Sequence, residues 1–350
     1  MTLELNDMLI VGGYVALILA ITIWLLIKIG KLNPEHYFLA GRGLPWWAVG
    51  GSLIASNISA EHFIGMSGAS YMTGIAIASY EWMGAIALLI VAKFLWPFFL
   101  DRGFYSMPQF IGQRFNKTVR GVLAAMFILF FIFINMSAML YLGGFALEMM
   151  FGVPLIYGVI GLALYAVTFS VLGGLVVVVW TDLVQACFFM VGGLVVAYLA
   201  LNAVGGGEGI LAGFQAIADR APERLDLILD TNHEAFNFLP GLSVIFGGMW
   251  IANLYNFGCN QYIMQRALAA QDIVEAQRGA IFAAFLKFLV PFIVVLPGLS
   301  VYVLNADINN LNETYPWLIN SFLDSGWRGF AAAALMAAIG SSLSLSLIHI

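Results

Sequence analysis

Hydrophobic residues along this chain fall into nine long runs that are separated by polar loops. The runs cover about residues 6–28, 45–72, 75–100, 119–150, 153–172, 175–203, 241–262, 276–304 and 328–347. A helix needs ~20 apolar residues to cross the ~30 Å hydrocarbon core of a bilayer, and every run reaches that length. The pattern therefore predicts an all-α polytopic membrane protein with nine transmembrane helices.

Polar side chains interrupt the second run near its midpoint. Residues 45–55 rise ~16 Å as a helix, which is about half of the hydrocarbon core. The polar residues that follow are Ser56, Asn57, Ser59, Glu61 and His62. Such groups are costly at this depth and usually mark a substrate or ion site, here on an unwound helix. The alternative is a helix whose small polar residues bond to a neighbour, although Glu61 and His62 exceed what helix packing needs.

Composition agrees with this class and excludes a soluble domain. Of the 350 residues 62% are hydrophobic and only 9% are charged, far fewer than in soluble proteins. The first 27 residues contain no Lys or Arg, so the first run is predicted to be a span and not a cleaved signal peptide. Cys187 and Cys259 lie inside apolar runs without metal-ligand spacing, and no cofactor is expected.

Basic residues alternate from loop to loop. One set of loops contains Lys28, Arg42, Arg102, Arg114, Lys117, Arg120, Arg266 and Arg278, whereas the other set is mainly acidic. The positive-inside rule then places the basic loops in the cytoplasm and the N-terminus outside. The longest outer loop, residues 204–240, is acidic and partly helical over 210–221, which is typical of a solvated cap.

The seventh run repeats the start of the second in the opposite orientation. The segment Gly50-Gly51-x-x-Ile54-Ala55-x-Asn57 is similar to Gly247-Gly248-x-x-Ile251-Ala252-Asn253. The two runs lie five apart, which predicts two inverted five-helix repeats that each begin with an interrupted helix. The expected organisation is an extra helix and loop (1–44), a first repeat (45–203), the outer loop (204–240) and three of five helices of a second repeat (241–350). Because the chain stops inside a hydrophobic segment, we expect this second repeat to be truncated.

Helical rise places several polar side chains at a common depth. They are Asn57, Glu61, His62, Glu81, Asn135, Asn253 and Lys287, from five different runs. This mixture of donors and acceptors suits a polyhydroxyl solute, and Tyr80, Trp82, Tyr255 and Phe257 could stack on a sugar ring. The alternative, which is compatible with the first, is a structural Glu81–Lys287 ion pair with Asn residues joining helices.

The ninth run contains oxygen ligands suited to a hard cation. Ala338 and Ser342 lie four residues apart, so the carbonyl of one and the hydroxyl of the other share a helix face. Free carbonyls at the interruption, from Ala55 and Ile58, could complete a site for a monovalent ion. The alternative for the Ser341-Ser342 pair is helix packing or bonding to the preceding turn.

Motifs over nearly the whole chain resemble the sodium/solute symporter family, most closely its bacterial sodium/galactose branch. The motifs include Tyr37-Phe-Leu-Ala-Gly-Arg42, Leu53-Ile-Ala-x-Asn-Ile-Ser-Ala-Glu61, Ile77-Ala-Ser-Tyr-Glu-Trp-Met83, Val179-Trp-Thr-Asp182 and Phe282-Ala-Ala-Phe-Leu-Lys287. The resemblance implies a LeuT-like fold in a bacterial plasma membrane. It also implies sodium-coupled symport of a galactose- or glucose-like sugar by alternating access.

The resemblance implies a role for each of several residues. The implied sodium ligands are Ala55, Ile58, Ala338, Ser341 and Ser342. The implied substrate-binding residues are His62, Glu81, Asn135, Asn253 and Lys287. The implied gate residues are Met66, Tyr80, Asn256 and Phe257. Asp182 matches a family acid associated with ion exit or with a further ion site.

Departures from the galactose pattern at His62, at Gly84 and at the Asn256-Phe257 pair bear on the identity of the solute. His62 stands where that pattern has Gln, and adds a titratable group. Gly84 replaces Ser. Asn256 and Phe257 replace an inner-gate Tyr and its neighbouring Trp, and Asn256 cannot stack on a pyranose ring.

Two further functions remain open beside sodium/sugar symport. One is sodium symport of a non-sugar solute, and the other is a solute sensor or channel on the same scaffold. Only a symporter shows uphill, sodium-dependent uptake. An enzyme is disfavoured because the sequence offers no nucleophile–base pair and no metal triad. The expected partners are sodium, a small solute and the lipid bilayer, without nucleic acid.

Overall fold

The computed structural model describes residues 4–30 and 33–349, and in that part of the chain all regular elements are helical. The α-helices are α1 (Leu5–Ile29), α2 (Pro34–Leu39), α3 (Trp46–Asn57), α4 (Ser67–Thr73), α5 (Ala78–Phe94), α6 (Trp96–Asp101), α7 (Met107–Arg114), α8 (Lys117–Phe130), α9 (Ser137–Phe151), α10 (Leu155–Val204), α11 (Ile210–Arg220), α12 (Leu242–Phe246), α13 (Gly248–Gly258), α14 (Gln261–Leu268), α15 (Ile273–Val303), α16 (Thr314–Phe322) and α17 (Trp327–His349). π-Helical turns at Glu61–Met66 and Phe131–Met136 lead into α4 and α9. The all-α class predicted from the sequence is confirmed.

Six continuous helical stretches in the described residues are long and apolar enough to cross a membrane. One of them, α10, contains two predicted spans, because Gly174 interrupts it with a φ of 56° and a ψ of −159°. The second and seventh predicted spans are each broken into shorter helices. The protein is therefore a multi-pass membrane protein, and the helices account for the nine predicted runs.

The second span is interrupted where the sequence turns polar. Helix α3 ends at Asn57, and Ile58 adopts an extended conformation with a φ of −88° and a ψ of 123°. The Ser56 hydroxyl donates to the Ser52 carbonyl, which competes with the regular backbone ladder. The helix resumes through the π-helical turn and α4, and the Ile58 carbonyl between the two segments accepts from the Ser342 side chain instead of a helical amide.

The seventh span is interrupted in the same manner. Gly247 separates α12 from α13, and Cys259 and Asn260 separate α13 from α14 with non-helical backbone angles. The loops at one end of the two broken spans are joined by a short backbone bridge. The Leu44 amide donates to the Ala269 carbonyl at 3.1 Å, and the Gln271 amide donates to the Leu44 carbonyl at 3.1 Å.

The core lies where the broken helices meet the long unbroken ones. Helix α3 packs against α15, and α17 packs along α10 and also contacts α3. The central hydrophobic cluster includes Ala55, Ile58 and Ala338, all of which are fully buried. These contacts position the broken segment of the second span directly against α17.

The outer loop is more firmly docked than a solvated cap. Ile217 and Ala221 are buried against the ends of α10 and α15. The Arg224 guanidinium donates to the Met72 carbonyl and lies 4.2 Å from the ring centroid of Tyr302. The sequence correctly predicts a helix here, but its amphipathic face packs against the transmembrane helices instead of remaining in solvent.

Helix α1 is attached to the beginning of α17 through a buried carboxylate. Asp7 is 2% exposed, and one of its oxygens accepts from the Gly326 and Gly329 amides, each at 2.8 Å. The first amides of a helix have no partner within the helix, and a carboxylate supplies both a hydrogen bond and a favourable charge. Asp7 thus caps α17 from another helix.

Replacing Asp7 with alanine is expected to destabilise the protein by about 1–2 kcal/mol, the usual value of a helix cap. The two glycine amides would lose their acceptor at a buried site. Thermal unfolding in detergent measures the change, and Asp101→Ala, which alters an exposed acid at the end of α6, is the matched control. Equal melting temperatures for Asp7→Ala and wild type would contradict the cap.

Candidate functional site

A buried ion pair joins α5 and α15 in the middle of the helix bundle. The Lys287 Nζ donates to the Glu81 Oε2 at 2.7 Å, and the two residues are 3% and 4% exposed. The Lys287 ammonium also donates to the Asn57 side-chain oxygen. The last residue of α3 is thereby connected to the pair that the sequence predicted.

His62 binds the other oxygen of the same carboxylate. Its Nε2 lies 3.3 Å from the Glu81 Oε1. Its Nδ1 accepts from the Ser59 amide at 3.2 Å, so the ring proton resides on Nε2 and points at Glu81. Both carboxylate oxygens are therefore engaged, whereas Glu61, one residue earlier, is exposed and does not join this group.

Asn253 lies beside the Lys287 side chain at a position made open by glycine. A Cβ atom built on Gly84 would lie 2.5 Å from the Lys287 Cε and 2.9 Å from the Asn253 Oδ1. The Asn253 amide donates to the Met249 carbonyl at 3.1 Å. The departure from Ser to Gly at position 84 therefore provides room for these two polar side chains to approach each other.

Asn135 is placed elsewhere by the structure. Its amide nitrogen donates to the Ser346 hydroxyl at 3.3 Å, near the end of α17. It does not join the hydrogen-bonded group formed by Asn57, His62, Glu81 and Lys287. Its role in substrate binding stays a prediction.

The aromatic side chains near the ion pair differ in their surroundings. Phe257 is buried, and its ring centroid lies 5.6 Å from the Lys287 Nζ. Trp82 stacks on Phe288 at 5.6 Å and donates to its carbonyl, and Tyr255 is 42% exposed. Phe257 is thus the aromatic residue in contact with the polar group, whereas Trp82 is already stacked on another ring.

The predicted gate residues lie in two places, two against the central hydrophobic cluster and two on α13. Met66 and Tyr80 are half-buried and pack against the central hydrophobic cluster. Asn256 lies on α13 next to Phe257, and its side-chain oxygen accepts from the Asn260 amide at 3.3 Å. The gate function itself stays a prediction.

One of the predicted sodium ligands, Ser342, contacts the interruption of the second span. The Ser342 hydroxyl donates to the Ile58 carbonyl at 3.1 Å. Ala55, Ile58 and Ala338 are fully buried in one cluster. The Ser342 contact thus brings a hydroxyl of α17 to a carbonyl at the interruption of the second span, and both are oxygen ligands that suit a monovalent cation. The ligand roles of Ala55, Ala338 and Ser341 stay predictions.

Ser341 belongs to a second polar group centred on Asp182. The Asp182 carboxylate accepts from the Ser341 and Ser52 hydroxyls, each at 2.6 Å, and from Arg266 at 3.2 Å. The Arg266 Nε also donates to the Ser52 hydroxyl at 3.0 Å. All of these side chains are fully buried, so the charges of Asp182 and Arg266 compensate each other in a low-dielectric interior.

The assignment of Arg266 to a basic loop is therefore wrong. The guanidinium turns inward because Asp182, inside an apolar span, requires a cationic partner. Ser52 was likewise missed as a partner of this acid. The available signal was the lone acid in the sixth run together with an arginine shortly after the interruption of the seventh.

Comparisons with known proteins agree with this architecture. The sequence profile described as "Sodium:solute symporter family" matches residues 37–349. The sodium/glucose cotransporter of Vibrio parahaemolyticus is 47% identical over 361 residues, which cover 98% of this chain and 66% of the relative. The human sodium/myo-inositol cotransporter 2 is 32% identical over 369 residues, which cover 98% of this chain and 54% of the relative. The chain thus spans between about half and two thirds of the length of these relatives.

A solved structure shares the fold. The substrate-bound, outward-open state of a Na+-coupled sialic acid symporter superimposes with a TM-score of 0.86 at 23% identity. The match covers 98% of this chain and 72% of that protein. This likeness confirms the predicted LeuT-like fold.

Proposed function

Because the chain belongs to the sodium:solute symporter family, we propose that it couples the uptake of a sugar or related polyol to sodium. The observation that supports this best is the position of Ile58. Its carbonyl faces Ser342, while Asn57 and His62 on either side of it reach the Glu81–Lys287 pair. One interrupted segment therefore contacts both proposed sites, as coupling between ion and solute requires.

The charges of the proposed substrate site favour a neutral solute. Glu81 and Lys287 form an ion pair whose formal charges cancel, and His62 and Asn253 add neutral hydrogen-bonding groups. A polyol can accept from the ammonium and donate to the carboxylate in place of their direct bond. The names of two relatives, sodium/glucose and sodium/myo-inositol cotransporters, refer to solutes of this chemical class.

The proposed sodium site requires one local rearrangement. The Ser342 hydroxyl proton now points at the Ile58 carbonyl. A bound cation would take both oxygens as ligands, so the hydroxyl would rotate its proton away. Ala55, Ala338 and Ser341 would supply the remaining oxygens, and Asp182 would assist ion exit on the far side of Ser341.

The coupling energy available to such a transporter is large enough for accumulation. One sodium ion that moves down ~100 mV releases ~2.3 kcal/mol, and a roughly tenfold gradient adds ~1.4 kcal/mol. The sum corresponds to roughly 500-fold accumulation of a neutral solute. Its bacterial relative suggests a bacterial plasma membrane as its location, and its loop charges place the N-terminus outside.

Uptake into proteoliposomes tests the proposal. The probes are labelled galactose, glucose and myo-inositol, each with an inward sodium gradient and with an equal gradient of potassium. Sodium-dependent accumulation above the external concentration supports symport. Equilibration without accumulation would indicate a channel, and binding without transport of any probe would indicate a sensor.

Replacing Ser342 with alanine is expected to weaken sodium binding about tenfold, because one oxygen ligand is lost without added volume. Solute binding measured without sodium should change little. Direct binding of radioactive sodium to the purified protein measures the effect, and Ser300→Ala on α15, whose hydroxyl bonds only within its own helix, is the control. Equal sodium affinity in Ser342→Ala and wild type would refute the site.

Replacing His62 with glutamine is expected to change the relative uptake of galactose, glucose and myo-inositol by more than about threefold. The flexible glutamine amide donates to Glu81 from a different position than the rigid imidazole, and each altered hydrogen bond to a hydroxyl is worth ~1 kcal/mol. The sodium concentration for half-maximal uptake should stay constant. An unchanged preference among the three solutes would show that His62 does not contact the substrate.

A further inference from the structure

Three buried polar side chains lie together on the side of α17 opposite the broken second span. The Tyr14 and Tyr165 hydroxyls are 2.7 Å apart. The Gln185 amide nitrogen donates to the Tyr14 hydroxyl at 3.3 Å and to the Tyr165 hydroxyl at 3.0 Å. These residues come from α1 and from both halves of α10, and none is more than 8% exposed.

This triad, defined as Tyr14, Tyr165 and Gln185, packs closely against α17 at a glycine. A Cβ atom at Gly340 would lie 2.5 Å from a Tyr165 ring carbon and 3.2 Å from the Gln185 amide nitrogen. Gly340 lies between Ala338 and Ser341 in the segment that contains the proposed sodium ligands. The triad therefore contacts the part of α17 whose position determines where those ligands point.

One hydroxyl proton and one side-chain oxygen of the triad have no hydrogen-bond partner in the described part of the chain. One tyrosine hydroxyl donates to the other, and both accept from Gln185, so the second hydroxyl proton has no acceptor among the described hydrogen bonds. The Gln185 side-chain oxygen is buried and also has no partner in the described part of the chain. The triad thus contains one spare donor and one spare acceptor.

A single water molecule satisfies both groups, because it accepts one hydrogen bond and donates another. A bound cation would satisfy the oxygen of Gln185 but would leave the spare hydroxyl proton facing a positive charge. The chemistry therefore favours water over an ion at this position.

We propose that the triad, together with one buried water, is a positioning site for the sodium-binding segment of α17. The three side chains touch no substrate or ion themselves. They hold α17 at Gly340, while Asp7 on the same α1 holds its first turn. Helix α1, which lies outside the five-helix repeats, thereby controls the geometry of the sodium site. The inference rests on the proposed function, since it assumes that Ser342 and its neighbours bind sodium.

The main test measures sodium affinity in variants that remove one polar group of the triad, with the purified protein in nanodiscs. Tyr165→Phe and Gln185→Met are each expected to weaken the binding of radioactive sodium about two- to tenfold, which corresponds to the loss of a buried hydrogen bond. Tyr198→Phe, on the same helix but 50% exposed, is the matched control. Solute affinity at saturating sodium should be unchanged in all three, which a general loss of structure would not produce.

A comparison with Ser342→Ala separates the positioning role of the triad from the sodium site itself. If Ser342→Ala weakens sodium binding but the triad variants bind sodium like wild type, the positioning role is refuted and the sodium site stands. If Ser342→Ala has no effect, the sodium site itself is refuted, and the triad's role with it. Should Tyr165→Phe fail to fold, Tyr14→Phe removes one hydroxyl from the peripheral helix α1 and is expected to weaken sodium binding in the same way.

An experimental map that shows ordered waters tests the chemistry of the triad directly. One water within hydrogen-bond distance of the Gln185 oxygen and of a tyrosine hydroxyl is expected. A dry triad would overturn the hydrated site, and so would a sodium-dependent density with short oxygen contacts.

Discussion

Replacing Lys287 with methionine is expected to reduce sodium-driven uptake at least a hundredfold. Glu81 would then be a buried carboxylate without its cation, 4% exposed and bonded only to His62. Removing one partner of a buried ion pair costs ~3–5 kcal/mol of folding stability. A lost hydrogen bond between the charged ammonium and the solute costs up to ~3 kcal/mol of binding, and ~2.8 kcal/mol corresponds to a hundredfold change in affinity. The ammonium would also no longer be available to the solute and to Asn57.

Uptake must be measured together with expression and with sodium binding. Lys93→Met is the control, because Lys93 is an exposed lysine near the end of α5. The double variant Glu81→Gln/Lys287→Met separates the two interpretations of the pair. A neutral pair should restore folding but not uptake if both charges bind the solute. Full uptake by the double variant would show that the pair is structural and that the substrate site lies elsewhere.

The meeting of Glu81 and Lys287 is predictable from the sequence because helical rise is regular. Depth along a predicted span gives the height of a side chain in the bundle with an error of a few residues. Two opposite charges at one height in a low-dielectric interior then have few alternatives to pairing. The same reasoning predicts that Asn57 and His62, at an interruption of similar depth, join them.

Depth does not give the direction in which a side chain points. Asn135 has the height of Lys287, yet it faces the end of α17 and donates to Ser346. The rotation of α8 and α9 about their axes depends on packing against other helices, which the spacing of one polar residue does not determine. The assignment of Asn135 to the substrate group thus rests on the family resemblance alone.

The interruptions follow from local chemistry, whereas their buried partners do not. Serines that bond to the preceding turn and a glycine-rich repeat indicate the breaks in the second and seventh spans. Hydropathy, however, favours a loop wherever an arginine occurs, so the sequence predicts a cytoplasmic loop position for Arg266. Its pairing with Asp182 depends on α14 turning back toward α10, a tertiary contact between residues 84 positions apart.

Replacing Arg266 with methionine is expected to destabilise the protein by ~3–5 kcal/mol, because Asp182 would lose its cation at a fully buried site and would either stay uncompensated or have to take up a proton. The hydroxyls of Ser52 and Ser341 would still donate to the carboxylate, but neutral donors do not compensate its charge. The expected result is a large drop in the melting temperature in detergent, with poor recovery from the membrane.

The double variant Asp182→Asn/Arg266→Met determines what the pair contributes. A neutral amide can still bond to both serines, and methionine fills much of the volume of the arginine stem, so most of the lost stability should return. Arg278→Met, which alters a largely exposed arginine on α15, is the control for the loss of a positive charge.

If Arg266→Met is as stable as wild type, the pair does not stabilise the fold. If the double variant folds and binds sodium but releases it more slowly, the carboxylate next to Ser341 acts in ion exit, because the Ser341 hydroxyl, a proposed sodium ligand, bonds directly to Asp182.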